Sequence, residues 1–426
     1  MIDDADESVA KSRQRKQNKH NRRIFERASY RTGGVVMALR LALFAMVCSS
    51  TIVSLCAAEP AAPTKVDQAK LREKLTAKMA DLRVPGAIVA VYRGDETIAE
   101  LALGKADVER DLPITADMHF RVASVSKPCV GTVILQLVDE GKIALDDPIA
   151  DYVPDVPGGD KITLRHLGTM RAGLFNYIES KQVKAMFAAE PERIWKTDEL
   201  LSASFKGKTY FEPGKGFHYA NTNTLLLGKV IEKVTGNTVE AEVERRICKP
   251  LGLTHTKLAT DNAIPAPHPR GYSWGTDAGP FFNRGTKLID VTAVSPSWWG
   301  CAGSMISTVG DLRKLAKPMA VGSLIKPATQ EQRVKWEKMD DIWPGRYGFC
   351  LEIDDGIGIG HDGDVPGFQC TMRYLPEHDA TVIVLTNIYG WSVHFNPSTP
   401  IAEAACVECG FLDGKKVKKL EVPDEG

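Results

Sequence analysis

The sequence predicts an α+β fold, in which helices flank one antiparallel sheet built from both chain ends. A mostly helical lobe is inserted between them. Three observations predict this: a helix and a β-hairpin open the body of the chain, short helices and loops fill its middle, and four β-rich segments followed by a helix close it.

The elements follow in order. Asp67 caps a helix whose Leu71, Leu75, Met79 and Leu82 share one face, and Pro85-Gly86 ends it. Residues 87–92 and 97–103 flank Arg93-Gly94-Asp95, a hairpin pattern. A second helix is expected from near Ser124, with Val130, Val133, Ile134, Leu137 and Val138 as an apolar stripe and Gly141 as its stop. Residues 145–300 are rich in Pro and Gly and read as the helical lobe, with one clear helix over 221–234 closed by Gly236. Strands are expected over 347–353, 357–361, 368–374 and 381–387, then a helix over 400–409.

Composition is that of a globular protein: 43% apolar and 25% charged residues, with 54 basic and 54 acidic side chains in 426 residues. The zero net charge is uneven. Residues 1–58 carry ten Lys/Arg against five Asp/Glu, leaving a mildly acidic body over 59–426 and no electrostatic footprint for nucleic acid. The run from Leu41 to Ala58 has no charge and ends in small residues. It reads as an export segment cleaved after Ala58 or, alternatively, kept as a membrane anchor, so the body over 59–426 is expected outside the cytoplasm. Seven cysteines remain in the body, an odd number that cannot all pair within one chain. Cys406 and Cys409 fit a CxxC spacing, but the packing reading is favoured for them. The sequence holds no His-Glu-x-x-His motif and no paired Cys/His metal site, so neither metal nor cofactor is expected.

Three short motifs carry the chemistry. Ser124 and Lys127 are three apart, which puts a hydroxyl and an amine on one helix face. Ser323 and Lys326 repeat that spacing with no amphipathic helix behind them, so spacing alone decides little. Tyr219-Ala-Asn221 is the sole Tyr-x-Asn in the chain. Taken alone, it reads as a helix cap (Asn221) beside a half-buried aromatic. His361-Asp362-Gly363, followed by Asp364, ends a glycine-rich strand that lets a ligand or another backbone come close.

Together these motifs resemble the serine β-lactamase and penicillin-binding protein superfamily, in the branch of class C β-lactamases, D-Ala-D-Ala carboxypeptidases, D-aminopeptidases and related esterases. The segments from Phe120 to Lys127, Ile162 to Leu174, Phe211 to Asn223, Gly303 to Thr308 and Gly360 to Gly363 are similar to its motifs and their flanks. The likeness runs from about residue 67 to 410. It implies the β-lactamase/transpeptidase-like fold and a serine hydrolase working through an acyl-enzyme. Ser124 would be the nucleophile, with Lys127, Tyr219 or both taking its proton. One of the two must then lose about 3 pH units of proton affinity, with charge shared with His361. Asn221 would bind the substrate amide and His361 its carboxylate or leaving group, and Gly363 and Asp364 would complete the substrate-binding set. The N–H groups of Ser124 and Asp364 would form the oxyanion hole.

The third motif opens with His361 where β-lactamases have Lys, which favours a peptidase or esterase. The first expectation is a D-alanyl-D-alanine carboxypeptidase-like enzyme. A class C-like β-lactamase, a small-ester hydrolase or a catalytically inactive cell-wall-binding relative are the alternatives. Its partners would be a small-molecule or peptide substrate, with membrane association through residues 41–58. Trp298-Trp299 reads equally as cleft lining or as core.

Overall fold

A computed structural model describes residues 66–276, 285–339, 345–389 and 396–414. The expected export segment lies outside them. Among the described residues no helix is long and apolar enough to cross a membrane.

The main sheet has nine antiparallel strands. From edge to edge they are β3 (Leu112–Pro113), β2 (Glu96–Asp107), β1 (Gly86–Arg93), β14 (Ala380–Thr386), β13 (Phe368–Leu375), β12 (Gly358–Val365), β11 (Glu352–Asp354), β10 (Arg346–Tyr347) and β9 (Glu337–Lys338). Its centre joins the chain ends, with β1 against β14 from Ala87 opposite Thr386 to Arg93 opposite Ala380. A small sheet, β4 (Phe120–Ala123), β8 (Met305–Ser307) and β5 (Lys257–Leu258), leads into Ser124. A third holds β15 (Ile388–Tyr389), β6 (Tyr272–Gly275) and β7 (Lys287–Asp290), so residues 145–300 are not purely helical.

Strand alternation sorts the core into two layers. Ile88, Ala90 and Tyr92 of β1 face the helical lobe, while Ala87, Val89 and Val91 face two terminal helices. Those helices are α1 (Gln68–Asp81) and α5 (Ser398–Glu408), which pack together. Asp67 caps α1, its carboxylate accepting from the Ala69 and Lys70 N–H groups at 3.0 and 3.1 Å. On the other face lie α2 (Ser126–Asp139), α3 (Asn221–Thr235) and α4 (Val309–Val321). α3 ends as expected at Gly236, whose φ of 72° suits a residue without Cβ.

Three details differ from the sequence reading, and one that it left open is decided. The expected strand 347–353 is a hairpin, with Tyr347 of β10 opposite Glu352 of β11. The chain reverses because Cys350 takes a left-handed φ of 52° and gives its N–H to Gly168 O at 2.7 Å. α2 starts at Ser126, and its burial is wider than a stripe: Cys129, Thr132 and Leu135 are enclosed too, because the helix runs through the core. Asn221 is not a cap. Ala220 holds that position and Asn221 is the first helical residue. Trp298 belongs to the core, its ring stacked on Phe187 at 3.8 Å.

The seven cysteines of the body are free thiols, all buried, including Cys406 and Cys409. The second Ser-x-x-Lys match falls in a turn, with Lys326 bonded to Asp139.

Candidate active site

The site begins where β4 runs into α2. β4 is held by β8, Ala123 lying opposite Met305. Ala123 adopts a φ of 48°, a conformation that disfavours a side chain and turns the chain sharply at Ser124. Ser126 fixes this bend: its hydroxyl donates to Ala123 O at 2.6 Å and accepts from Met305 N at 3.2 Å. Ser124 is left partly exposed at the head of α2.

Lys127 lies one turn on, fully buried. Its Nζ is 2.8 Å from Ser124 Oγ and donates to Ala302 O at 2.9 Å. Burial pulls the amine down to about 7, against smaller opposing effects from Cys350, Glu352 and Cys301. A free amine can donate to Ala302 O while its lone pair accepts the Ser124 proton. Tyr219 covers this pair. Its ring is 4.8 Å from Lys127 Nζ and its hydroxyl bonds Ser124. Burial, with Glu352 nearby, raises the phenol well above 10 despite the Ser124 bond. Tyr219 is therefore neutral and can give a proton but not take one near neutral pH, so the geometry separates two groups that the sequence left interchangeable.

Asn176 orders the Tyr219 segment. It donates from Nδ2 to Tyr219 O at 3.4 Å and accepts from Asn221 N at 3.3 Å. The Asn221 side chain is buried, and its Oδ1 accepts no hydrogen bond among the described residues. A buried acceptor left open is suited to an N–H brought by a substrate.

The third wall is β12. Gly363 lies against β4, where a Cβ would come within 2.3 Å of Val122 O. Beside it, burial pushes the Asp364 carboxyl up to about 7, while Gln369 donates to it at 2.8 Å. His361 is buried, its ring 6.2 Å from that of Tyr219. Burial, reinforced by Lys127, holds the imidazole down to about 3, so it is uncharged at neutral pH. It therefore does not share the charge of Lys127 and Tyr219 as the sequence reading expected.

The sequence reading did not single out Tyr347, Glu352 or Arg373. The Tyr347 hydroxyl is 3.2 Å from His361 Nε2, Glu352 Oε1 is 3.3 Å from it, and Arg373 holds Glu352 at 2.8 Å. No motif announces them, because they come from three strands and meet only through sheet register. The described residues contain no group of three His, Cys, Asp or Glu placed to hold a metal ion.

Known proteins resemble this chain in sequence and fold. A family model described as Beta-lactamase matches residues 71–405. The D-aminopeptidase of Brucella anthropi is 27% identical over 316 residues, 72% of this chain and 56% of that protein. The chain thus spans little more than half the length of that relative. The putative penicillin-binding protein PbpX of Bacillus subtilis is 24% identical over 405 residues, covering 89% of this chain and 93% of the relative. Among solved structures, a D-stereospecific amidohydrolase from Streptomyces sp. superposes with a TM-score of 0.71 at 29% identity, over 81% of this chain and 99% of that one. With its fold and with the family match over most of its length, the chain belongs to the beta-lactamase family of serine hydrolases.

Proposed function

We propose that this hydrolase cleaves the amide bond after a D-amino acid that carries a free amino group, as a D-aminopeptidase or D-amino acid amidase. The observation that carries the reading is the burial of His361 with its Nδ1 committed to Asp362 O at 2.6 Å, a setting that disfavours the charged ring. A carboxypeptidase must bind a terminal carboxylate, and a buried neutral imidazole offers it no positive charge. A free ammonium instead needs an anion. Glu179 supplies one: its exposed carboxylate is bonded by Tyr210 at 2.7 Å and lies 3.1 Å from His218, next to Tyr219. Burial raises its proton affinity, but these bonds more than offset that and keep it ionised. The D-aminopeptidase and D-stereospecific amidohydrolase relatives support the same reading.

In the proposed cycle Ser124 Oγ attacks the amide carbonyl while its proton passes to Lys127 Nζ. The N–H groups of Ser124 and Asp364 hold the oxyanion, and Asn221 Oδ1 accepts from the substrate N–H. Tyr219 delivers a proton to the departing nitrogen and is reprotonated by the Lys127 ammonium; water then gives a proton to Lys127 as it attacks the acyl carbon, and Ser124 Oγ leaves and takes that proton back.

The test is hydrolysis of D-alaninamide, its L enantiomer, N-acetyl-D-alaninamide and an acyl-D-Ala-D-Ala peptide. Turnover of the free D-amide alone, abolished by Ser124→Ala, is expected. Cleavage of the acyl dipeptide with the D-amide untouched would replace this reading by the carboxypeptidase one. Export is part of the proposal and rests on the apolar run 41–58. An N-terminus at Glu59 in the exported protein is the expected result.

A further inference from the structure

Two histidines meet at the end of the small sheet that lies away from Ser124. β4 and β5 flank β8 and are both antiparallel to it, so the residues that precede them come together beyond Ser307. His119 leads into β4, and His255 stands two residues before β5. His119 Nε2 is 3.2 Å from His255 Nδ1, and the two rings are tilted by 58°. His119 is buried and His255 is exposed.

Both residues are pinned through their backbones. The His119 N–H donates to Pro267 O at 2.8 Å, and the His255 N–H donates to Asp311 Oδ2 at 2.7 Å. Thr256 bonds the same carboxylate at 2.9 Å and Ser307 Oγ at 2.8 Å. The His119 ring is fixed as well, because its Nδ1 lies 3.2 Å from Pro267 O. A carbonyl only accepts, so Nδ1 carries the proton of the neutral ring and the lone pair is on Nε2, toward His255. An imidazole that gives one N–H to a backbone carbonyl and presents its other nitrogen has the form of a metal ligand held by its outer partner.

Either a proton or a cation can join the two nitrogens. A proton on His255 Nδ1 makes an N–H···N bond at 3.2 Å, the long limit of ordinary hydrogen bonds. A tetrahedral zinc ion, with Zn–N bonds of about 2.0–2.1 Å, sets two nitrogens about 3.3 Å apart. The measured separation therefore already suits the ion. On binding, His255 changes tautomer: Nδ1 gives its proton to water and Nε2 takes one from water. Both rings stay neutral, and no net proton is released.

We propose that His119 Nε2 and His255 Nδ1 form a structural site for a divalent transition ion of the Zn²⁺ class, with water completing its shell. The described residues hold no group of three His, Cys, Asp or Glu placed for a metal, so the site has two protein ligands. It selects by imidazole, which suits Zn²⁺ and gives oxygen-seeking Mg²⁺ no ligand. The two histidines are 136 residues apart, and an ion between them ties the entrances of β4 and β5 across the end of β8. The four residues of β4, about 13 Å of strand, separate the ion from Ser124, so it adds stability without entering the reaction.

Equilibrium dialysis of the metal-stripped full chain against Zn²⁺ tests this, with His255→Gln as the comparison because that side chain is exposed and can change without opening the core. The wild type is expected to hold one more Zn²⁺ per chain than His255→Gln. Its melting temperature is expected to rise by about 2–4 °C at a Zn²⁺ concentration about a hundredfold above half-saturation, and that of the variant is expected to stay where it is. Equal Zn²⁺ uptake by the two proteins overturns the proposal, as does an equal rise in melting temperature or a Mg²⁺ response as large as that to Zn²⁺. A folded His119→Gln that keeps the additional ion overturns it too; if that variant does not fold, His255→Gln decides. None of these outcomes bears on the reading of Ser124 as nucleophile.

Discussion

Replacing Lys127 by Met separates the cost of burying this amine from the role as base proposed for it. In the folded protein burial pulls this amine down to about 7, whereas in the unfolded chain it keeps the ordinary lysine value of 10.5. Between those values the unfolded chain binds a proton that the folded one does not, so wild-type stability rises with pH by ~1.4 kcal/mol per pH unit. Below about 7 both states are protonated, and the full penalty of ~5 kcal/mol is present. The helix carries it because Val130, Val133, Ile134 and Leu137 each contribute about 1.5–3 kcal/mol by burial. Methionine is of similar length and has no proton to bind.

At pH 10 the hydrogen bonds to Ser124 and Ala302, at ~1 kcal/mol each, less about 1 kcal/mol from the proton the unfolded lysine still binds, leave the wild type ahead of the variant by about 1 kcal/mol. By pH 7 that proton's contribution has grown to ~4 kcal/mol, which reverses the order, and the inactive variant is the more stable by about 2 kcal/mol. Urea denaturation of both proteins at intervals from pH 6 to 10 measures the difference, and the two stability curves cross near about pH 9. Other titrating groups cancel in the comparison. A difference constant to within about 1 kcal/mol over this range would refute the buried, deprotonated amine and with it the base assigned to Lys127.

Two further outcomes are expected at the same site. Tyr219→Phe removes the proton donor but leaves the ring over Lys127, so kcat falls about 10²–10⁴-fold with KM little changed, and steady-state kinetics with unchanged kcat would rule the role out. Gly363→Ala brings a methyl group to 2.3 Å from Val122 O and 2.7 Å from Cys370 Sγ, so β12 must move off β4. A loss of about 1–3 kcal/mol in thermal unfolding and about a hundredfold in turnover is expected, and a fully active variant would show that strand spacing does not set the site.

What could be read from the chain depended on how local its cause was. Asp67 before a periodic apolar face located α1, and Gly236 located the end of α3, because caps act within one turn. β13 and β14 were legible as β-rich runs between turn residues. The break at Cys350 was not, since the bond that turns the chain there comes from Gly168, far away in sequence. The α2 stripe showed one buried face of a helix that the tertiary fold encloses more widely. Ser124 and Lys127 could be paired by helical spacing, but their different proton affinities from Tyr219 required burial to be known. Glu352 and Arg373 had no signature at all, because register alone sets them beside His361.

The contact of Ala87 with Thr386 also has a kinetic meaning. The centre of the sheet is closed by two strands about 300 residues apart, a topology of high contact order. Closing so long a loop costs only about 2 kcal/mol more than closing one of thirty residues, so the finished sheet loses little stability. Time is what it costs. A chain still emerging from the ribosome lacks β13 and β14, so β12 has only the short β11 beside it and His361 lacks its cross-strand partner Met372 of β13. The nucleophile segment is made early and its third wall late, so reactivity at Ser124 awaits completion of the polypeptide.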